Sequence, residues 1–143
     1  DYFYKYGGAL GMKAKDSNKF KALGMIGDVR TSFERAIALN PKHIEARWAL
    51  IELYLQLPGV VGGSEKKAKE YAAQLAKLSP VDGFLANGHI DEYFNRYSLA
   101  EKNYLKAHEI GNSKTTFQKL YNLYLNKLKD KIRAVKLKEQ FEK

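Results

Sequence analysis

The sequence predicts an all-α chain, and three observations carry that expectation. Apolar residues recur at intervals of three and four rather than two, as in Leu50, Leu53, Tyr54 and Leu57 and again in Leu120, Leu123, Tyr124 and Leu128. No alternating apolar and polar run of strand length occurs. Helix stops recur along the chain, at Leu39-Asn40-Pro41, Leu78-Ser79-Pro80 and Ile110-Gly111. Proline cannot continue a helix and drives the residue before it out of the α region, and glycine is the common left-handed stop.

Seven or eight helices follow in order, with short connections that make neighbours antiparallel. The first is expected over Tyr2–Lys15 and the next over Lys19–Leu39, closed by Asn40-Pro41. His43–Gln56 carries the first apolar stripe. Ser64–Leu78 opens on Ser64 as N-cap with Glu65 in the first turn, both favourable there, and closes at Ser79-Pro80. Val81–Phe94 and Ser98–Ile110 come next, the latter stopped by Gly111. Lys114–Leu128 carries the second stripe, and Lys131–Phe141 ends the series.

The stops set a repeat. Leu50 and Tyr54 in one helix are followed by Ala68 in the next and by Pro80 at its end. Gly88, Tyr97, Ala100, Tyr104 and Ala107 continue in phase, Phe33, Ala36 and Pro41 precede in phase, and Leu120 and Tyr124 follow. This pattern resembles the tetratricopeptide-repeat family, whose unit of about 34 residues is a pair of antiparallel helices. Units fall near residues 1–41, 42–80, 81–112 and 113–143 of a single α-solenoid domain. Pro41 and Pro80 are 39 residues apart, and the surplus sits in Pro58–Gly63. A Pro-Gly-x-x-Gly-Gly insertion of this kind is similar to that of a bacterial subgroup of the family. Independently of the resemblance, Ala36, Ala68, Ala100 and Ala107 are small enough for close helix approach. Phe33, Tyr54 and Tyr104 are bulky enough to fill the gaps between pairs. Such a stack buries its core only through neighbouring units.

The 143 residues, 16.3 kDa, are 45% apolar and 29% charged, which supports a packed core. Cysteine is absent, which excludes a disulfide scaffold, a thiol nucleophile and cysteine-based metal sites and leaves the compartment open. No apolar run approaches the roughly 18 residues of a membrane span. The net charge of +9 invites an anionic partner. Its distribution weighs against nucleic acid, because residues 1–80 carry 13 basic and 8 acidic side chains and residues 81–143 carry 12 and 8. Only Lys114–Lys143 is locally rich, with 9 basic against 3 acidic. There Lys127, Lys129, Lys131, Arg133, Lys136 and Lys138 alternate with Leu128, Ile132, Val135 and Leu137. A solvated last helix with snorkelling lysines is the simpler expectation, and an anion-binding face is the alternative.

Pro58-Gly59-Val60-Val61-Gly62-Gly63-Ser64 runs into a helix start, as a phosphate cradle does. It lacks the G-x-x-x-x-G-K-[ST] spacing and follows a helix rather than a strand, so a structural turn is expected. Close helix contact is the expected reason for Gly7, Gly8, Gly11, Gly24 and Gly27. His43, His89 and His108 are far apart and form no metal-binding pair, and the adjacent Asp91 and Glu92 diverge on a helix. No catalytic constellation is legible, so neither an enzyme nor a cofactor is expected.

The resemblance implies a protein or peptide partner held on the concave face lined by the first helix of each unit. Carried over by position, that surface comprises Glu45, Trp48, Glu52 and Leu55, then Asp82, Leu85, His89, Glu92 and Tyr93, with Gln118 and Asn122 from the last unit. Trp48 and Tyr93 would be aromatic anchors, and Glu52 and Glu92 would pair with basic groups. The Lys and Asn positions with which some members clamp a terminal carboxylate hold Trp48, Glu52, Leu85 and His89, so chaperone-tail binding is not implied. The alternatives are an anionic-surface binder through the Lys-rich last helix and a self-associating scaffold. The start at Asp1 without Met, with the subgroup resemblance, leans towards an exported bacterial protein.

Overall fold

A computed structural model describes the backbone of residues 19–143 and the side chains of residues 25–143. The expected helix over Tyr2–Lys15 lies outside these residues. Seven α-helices are described: α1 (Lys19–Leu39), α2 (Ile44–Gln56), α3 (Glu65–Leu78), α4 (Pro80–Tyr93), α5 (Tyr97–Gly111), α6 (Lys114–Asn122) and α7 (Lys131–Glu142). Among the described residues there is no strand. The fold is all-α, with a helical, repeat-like architecture. The chain divides into two compact units between Tyr71 and Ala72, within α3.

In the first unit, α1 and α2 pack on each other. Val29, Ser32, Phe33 and Ala36 form the buried stripe of α1 at helical spacing. The helix stops where Asn40 folds back: its side-chain oxygen accepts from the Lys42 N–H at 3.1 Å and its carbonyl from the His43 N–H at 2.9 Å. His43 then caps α2, its Nδ1 accepting from the Ala46 N–H at 3.0 Å. Ala46, Leu50, Ile51, Tyr54 and Leu55 are buried on α2. Ser64 caps α3 through a 3.1 Å bond from the Lys67 N–H, and Tyr71 stacks on Tyr54 with ring centres 6.1 Å apart.

In the second unit a single residue, Ser79, separates α3 from α4. Its hydroxyl accepts from the Asp82 N–H at 3.3 Å, and Pro80 takes the first helical position. Proline belongs there because its missing N–H is one that a helix start leaves unpaired. Pro80 therefore ends one helix and begins the next. Gly83 is needed at this junction, since a Cβ there would lie 2.5 Å from the Cα of Ala76.

The pair α4–α5 is antiparallel, with Tyr104 beside Gly88 and Gly111 beside Val81. The Tyr104 ring is fully buried, and a Cβ at Gly88 would stand 2.5 Å from it. Ala100 and Ala107 are buried one turn to either side of Tyr104, and Ala36 and Ala68 are likewise interior. The turn between α4 and α5 holds Asn95 at φ 61, with Arg96 N–H donating to Asp91 O and Asn95 N–H to Glu92 O, the paired bonds of a left-handed helix stop.

Three expectations are corrected. Gly111 is the last residue of α5, and Asn112 takes the left-handed conformation at φ 43. Gly111 is small for another reason: Val81 and Thr116 methyls would lie 3.2 and 3.4 Å from its Cβ. Among the described residues nothing lies within 4 Å of a Cβ at Gly27, so none of them supplies the close contact expected there. Gly7, Gly8 and Gly11 lie outside the described residues, as does the surrounding of Gly24. Finally, the helix expected over Lys114–Leu128 ends at Asn122 and widens into a π turn over Leu123–Lys127. There the Leu128 N–H reaches Leu123 O at 2.9 Å and the Asp130 N–H reaches Tyr124 O at 2.8 Å.

Candidate interaction surface

On α2, Glu45, Trp48 and Glu52 stand three and four residues apart and so share one face. Glu45 is exposed, and its carboxylate is 3.6 Å from His43 Nδ1. Trp48 and Glu52 are half-buried, and Glu52 accepts from the Gln56 side-chain amide at 2.9 Å. Leu55, expected on the same surface, is 4% exposed and belongs to the interior.

On α4, Asp82 and His89 are half-buried and two turns apart. Leu85 between them is 6% exposed and is a core residue, not a contact for a partner. Glu92 is half-buried, but its Oε1 accepts from the Tyr104 hydroxyl at 2.8 Å, so it holds α5 to α4 rather than facing outward as an unshared acid. Tyr93 is exposed and meets Phe94 edge-on, ring centres 5.2 Å apart. Gln118 and Asn122 are exposed one turn apart on α6. The structure thus groups Glu45, Trp48 and Glu52 on α2, Asp82 and His89 on α4, and Gln118 and Asn122 on α6.

Several polar contacts beside these faces were not read from the sequence, which placed Asp91 only as diverging from Glu92. Asp91 receives the Arg96 Nε and the Asn103 side-chain amide, each at 3.0 Å, and Arg96 lies over the Phe94 ring at 5.1 Å. In the first unit, buried Arg47 donates to the His43 carbonyl at 2.9 Å, and burial holds its guanidinium below its ordinary pKa. Tyr71 nearby is pushed up, first by burial and then by Tyr54 and Glu34.

A third cluster closes the second unit. Glu101 on α5 accepts from the Tyr124 hydroxyl at 2.9 Å and is paired with Arg133 of α7. Arg133 also binds Asp130 at 2.6 Å and lies 4.7 Å from the centre of the Tyr124 ring. Burial, then the bond to Glu101, pushes the Tyr124 hydroxyl up to about 12. Bonds from the Arg133 backbone and side chain hold Asp130 below its ordinary value. Each partner lies more than ten residues from Glu101, beyond any local motif.

The glycine-rich segment is a closed turn. Gly59–Val61 forms a 3₁₀ turn and Gly62 sits at φ 110. The N–H groups of Val61, Gly62, Gly63 and Ser64 donate to the carbonyls of Pro58, Gly59, Pro58 and Tyr54 at 3.0 to 3.2 Å. A phosphate cradle needs such groups turned towards the ligand. Here they close the loop on itself.

His108 sits against Phe117 and Phe141, its Nδ1 2.8 Å from Thr116 Oγ1, and burial lowers its pKa. Among the described residues no three His, Asp or Glu side chains are placed to hold a metal ion. Among the same residues no helix is long and apolar enough to cross a membrane. No family model matches the chain, and no characterised protein matches it in sequence.

Proposed function

We propose that this chain is a non-catalytic interaction module of the tetratricopeptide-repeat type, binding a peptide or protein segment on outward helix faces, that of α2 in the first unit and those of α4 and α6 in the second, each taken by itself. One observation carries the proposal. These three helices keep polar and aromatic side chains at helical spacing on an accessible or half-accessible side: Trp48 with Glu52, Asp82 with His89, and Gln118 with Asn122. Their partner helices place Ala36, Ala68, Ala100 and Ala107 inside. Trp48 is the expected anchor, because a half-buried indole offers a large apolar area at little entropic cost. Glu45 and Glu52 beside it favour a segment carrying Lys or Arg.

Selection of peptides from a random display library against the whole chain tests this, followed by calorimetry with the selected sequences. Trp48→Ala combined with Glu52→Lys should weaken binding about tenfold or more while the far-ultraviolet dichroism stays unchanged. Equal affinity in that variant would remove the α2 face from the proposal. Failure to select any peptide would remove the proposal as a whole.

A further inference from the structure

The last helix presents two faces of different chemistry. Ala134 and Leu137 are buried, and Phe141 stacks on Phe117 with ring centres 4.6 Å apart. Away from that side lie Ile132 and Val135, 74% and 44% exposed. At about 100° per residue they stand about 60° apart around the axis and form one apolar ridge. The lysines of this helix are solvated, as expected from the sequence, and the two aliphatic side chains stand exposed among them.

The surroundings of the ridge are cationic. Lys131 and Lys136 flank it on α7, Lys127 and Lys129 precede it, Lys138 follows, and all five are exposed. The acidic groups at this end are already engaged. Asp130 takes the Arg133 N–H at 3.0 Å on one oxygen and the guanidinium on the other, and Glu101 is held by Tyr124 and Arg133. Glu139 and Glu142 are the remaining carboxylates of α7, and Glu139 stands on the ridge side one turn beyond Val135, so the cationic part of the face is its first two turns. The first two turns of α7 therefore combine a dense positive field with an exposed apolar strip.

We propose that this face docks on an anionic phospholipid surface, with the lysines over the headgroups and Ile132 and Val135 entering the headgroup–acyl boundary. Charge complementarity supplies the attraction, and the ridge selects a bilayer over a nucleic acid. Two aliphatic side chains offer a phosphodiester backbone nothing, and the strip carries no ring or guanidinium to stack on bases. The helix lies on the surface and does not span it. This proposal is independent of the peptide-binding faces of α2, α4 and α6.

Cosedimentation of the whole chain with vesicles tests it. Vesicles of phosphatidylcholine with roughly one third phosphatidylserine should capture the chain at least about tenfold better than phosphatidylcholine alone, with capture falling as salt is added. Lys131→Glu with Lys136→Glu should abolish capture. Ile132→Ser with Val135→Ser, which leaves charge unchanged, should weaken it about tenfold. All four positions are exposed, so thermal melting should not change. No capture by the anionic vesicles at low salt would overturn the proposal. So would undiminished capture of the serine variant, tighter binding to an RNA or DNA duplex than to vesicles, or a dimer in solution that the serine variant dissociates.

Discussion

The turn joining α2 to α3 and the turn joining α4 to α5 solve one problem with different chemistry. The first, Pro58–Ser64, is held by backbone: successive N–H groups find carbonyls within the loop or on Tyr54, and glycine conformations make this possible. The second needs only Phe94–Arg96, closes with two backbone bonds at the left-handed Asn95, and adds side chains that the first lacks: Asp91 binds Arg96 and Asn103, and Glu92 binds Tyr104. A backbone closure tolerates changes of side chain and fails where a Cβ cannot fit. A side-chain closure does the reverse. The long loop is therefore the less forgiving of the two to a single methyl group.

Gly63 gives the largest expected effect. A Cβ there would stand 1.8 Å from the Leu57 carbonyl oxygen, which is backbone and cannot rotate away. Gly63→Ala should cost about 2–3 kcal/mol in denaturant unfolding, because the loop must open to relieve the clash. Val60 in the same loop is 94% exposed, so Val60→Ser should change stability by less than about 0.5 kcal/mol. Equal effects at both positions would break the backbone account of this turn.

Asp91 is the corresponding position in the shorter turn. Asp91→Ala removes the acceptor shared by Arg96 and Asn103, and half-exposed Arg96 can turn to water. We expect a loss of about 1–2 kcal/mol, smaller than a fully buried pair would give. Asp91→Asn should recover part of it, since one oxygen can still accept. If alanine cost nothing, Gly88 seated on Tyr104 would be sufficient to hold α4 and α5 together.

The contrast also explains what could be read before any coordinates. Helix positions were legible because proline and serine act locally: Ser64 caps and Ser79-Pro80 punctuates, though Ser79, read only as part of a stop, also caps the helix that follows. The interior was legible at Ala36, Ala68, Ala100, Ala107, Phe33, Tyr54 and Tyr104, where side-chain size at a repeat position has one packing use. The outward faces were less legible. α2 and α4 carry apolar residues on several sides, so spacing alone does not separate Leu55 and Leu85 from Trp48. Glu92 looked like an unshared acid because its partner, Tyr104, lies on the next helix. The π turn escaped for a related reason. Leu120, Leu123, Tyr124 and Leu128 fit an α period, while the wider turn is seen only in the bonds to Leu128 and Asp130.

That π turn extends the comparison to a third closure, between α6 and α7, where Glu101, Tyr124 and Arg133 meet. If it is held by side chains, its stability should follow the proton on Tyr124. Burial and the bond to Glu101 raise that hydroxyl from its ordinary value near 10 to about 12. Between these values the unfolded chain releases a proton that the folded chain keeps. The stabilisation is thus complete below about pH 10 and is lost as pH rises towards about 12. Removing the hydroxyl in Tyr124→Phe costs its hydrogen bond at every pH but removes this slope. Melting curves compared between about pH 8 and pH 11 should show the wild-type chain falling relative to the variant, by about 1 kcal/mol at the upper end. Subtracting the variant cancels the ionisation of the other tyrosines. Parallel curves would mean that Tyr124 titrates alike in both states, and the closure of α7 on α5 and α6 would then rest on the apolar contacts of Ala134, Leu137 and Phe141 instead.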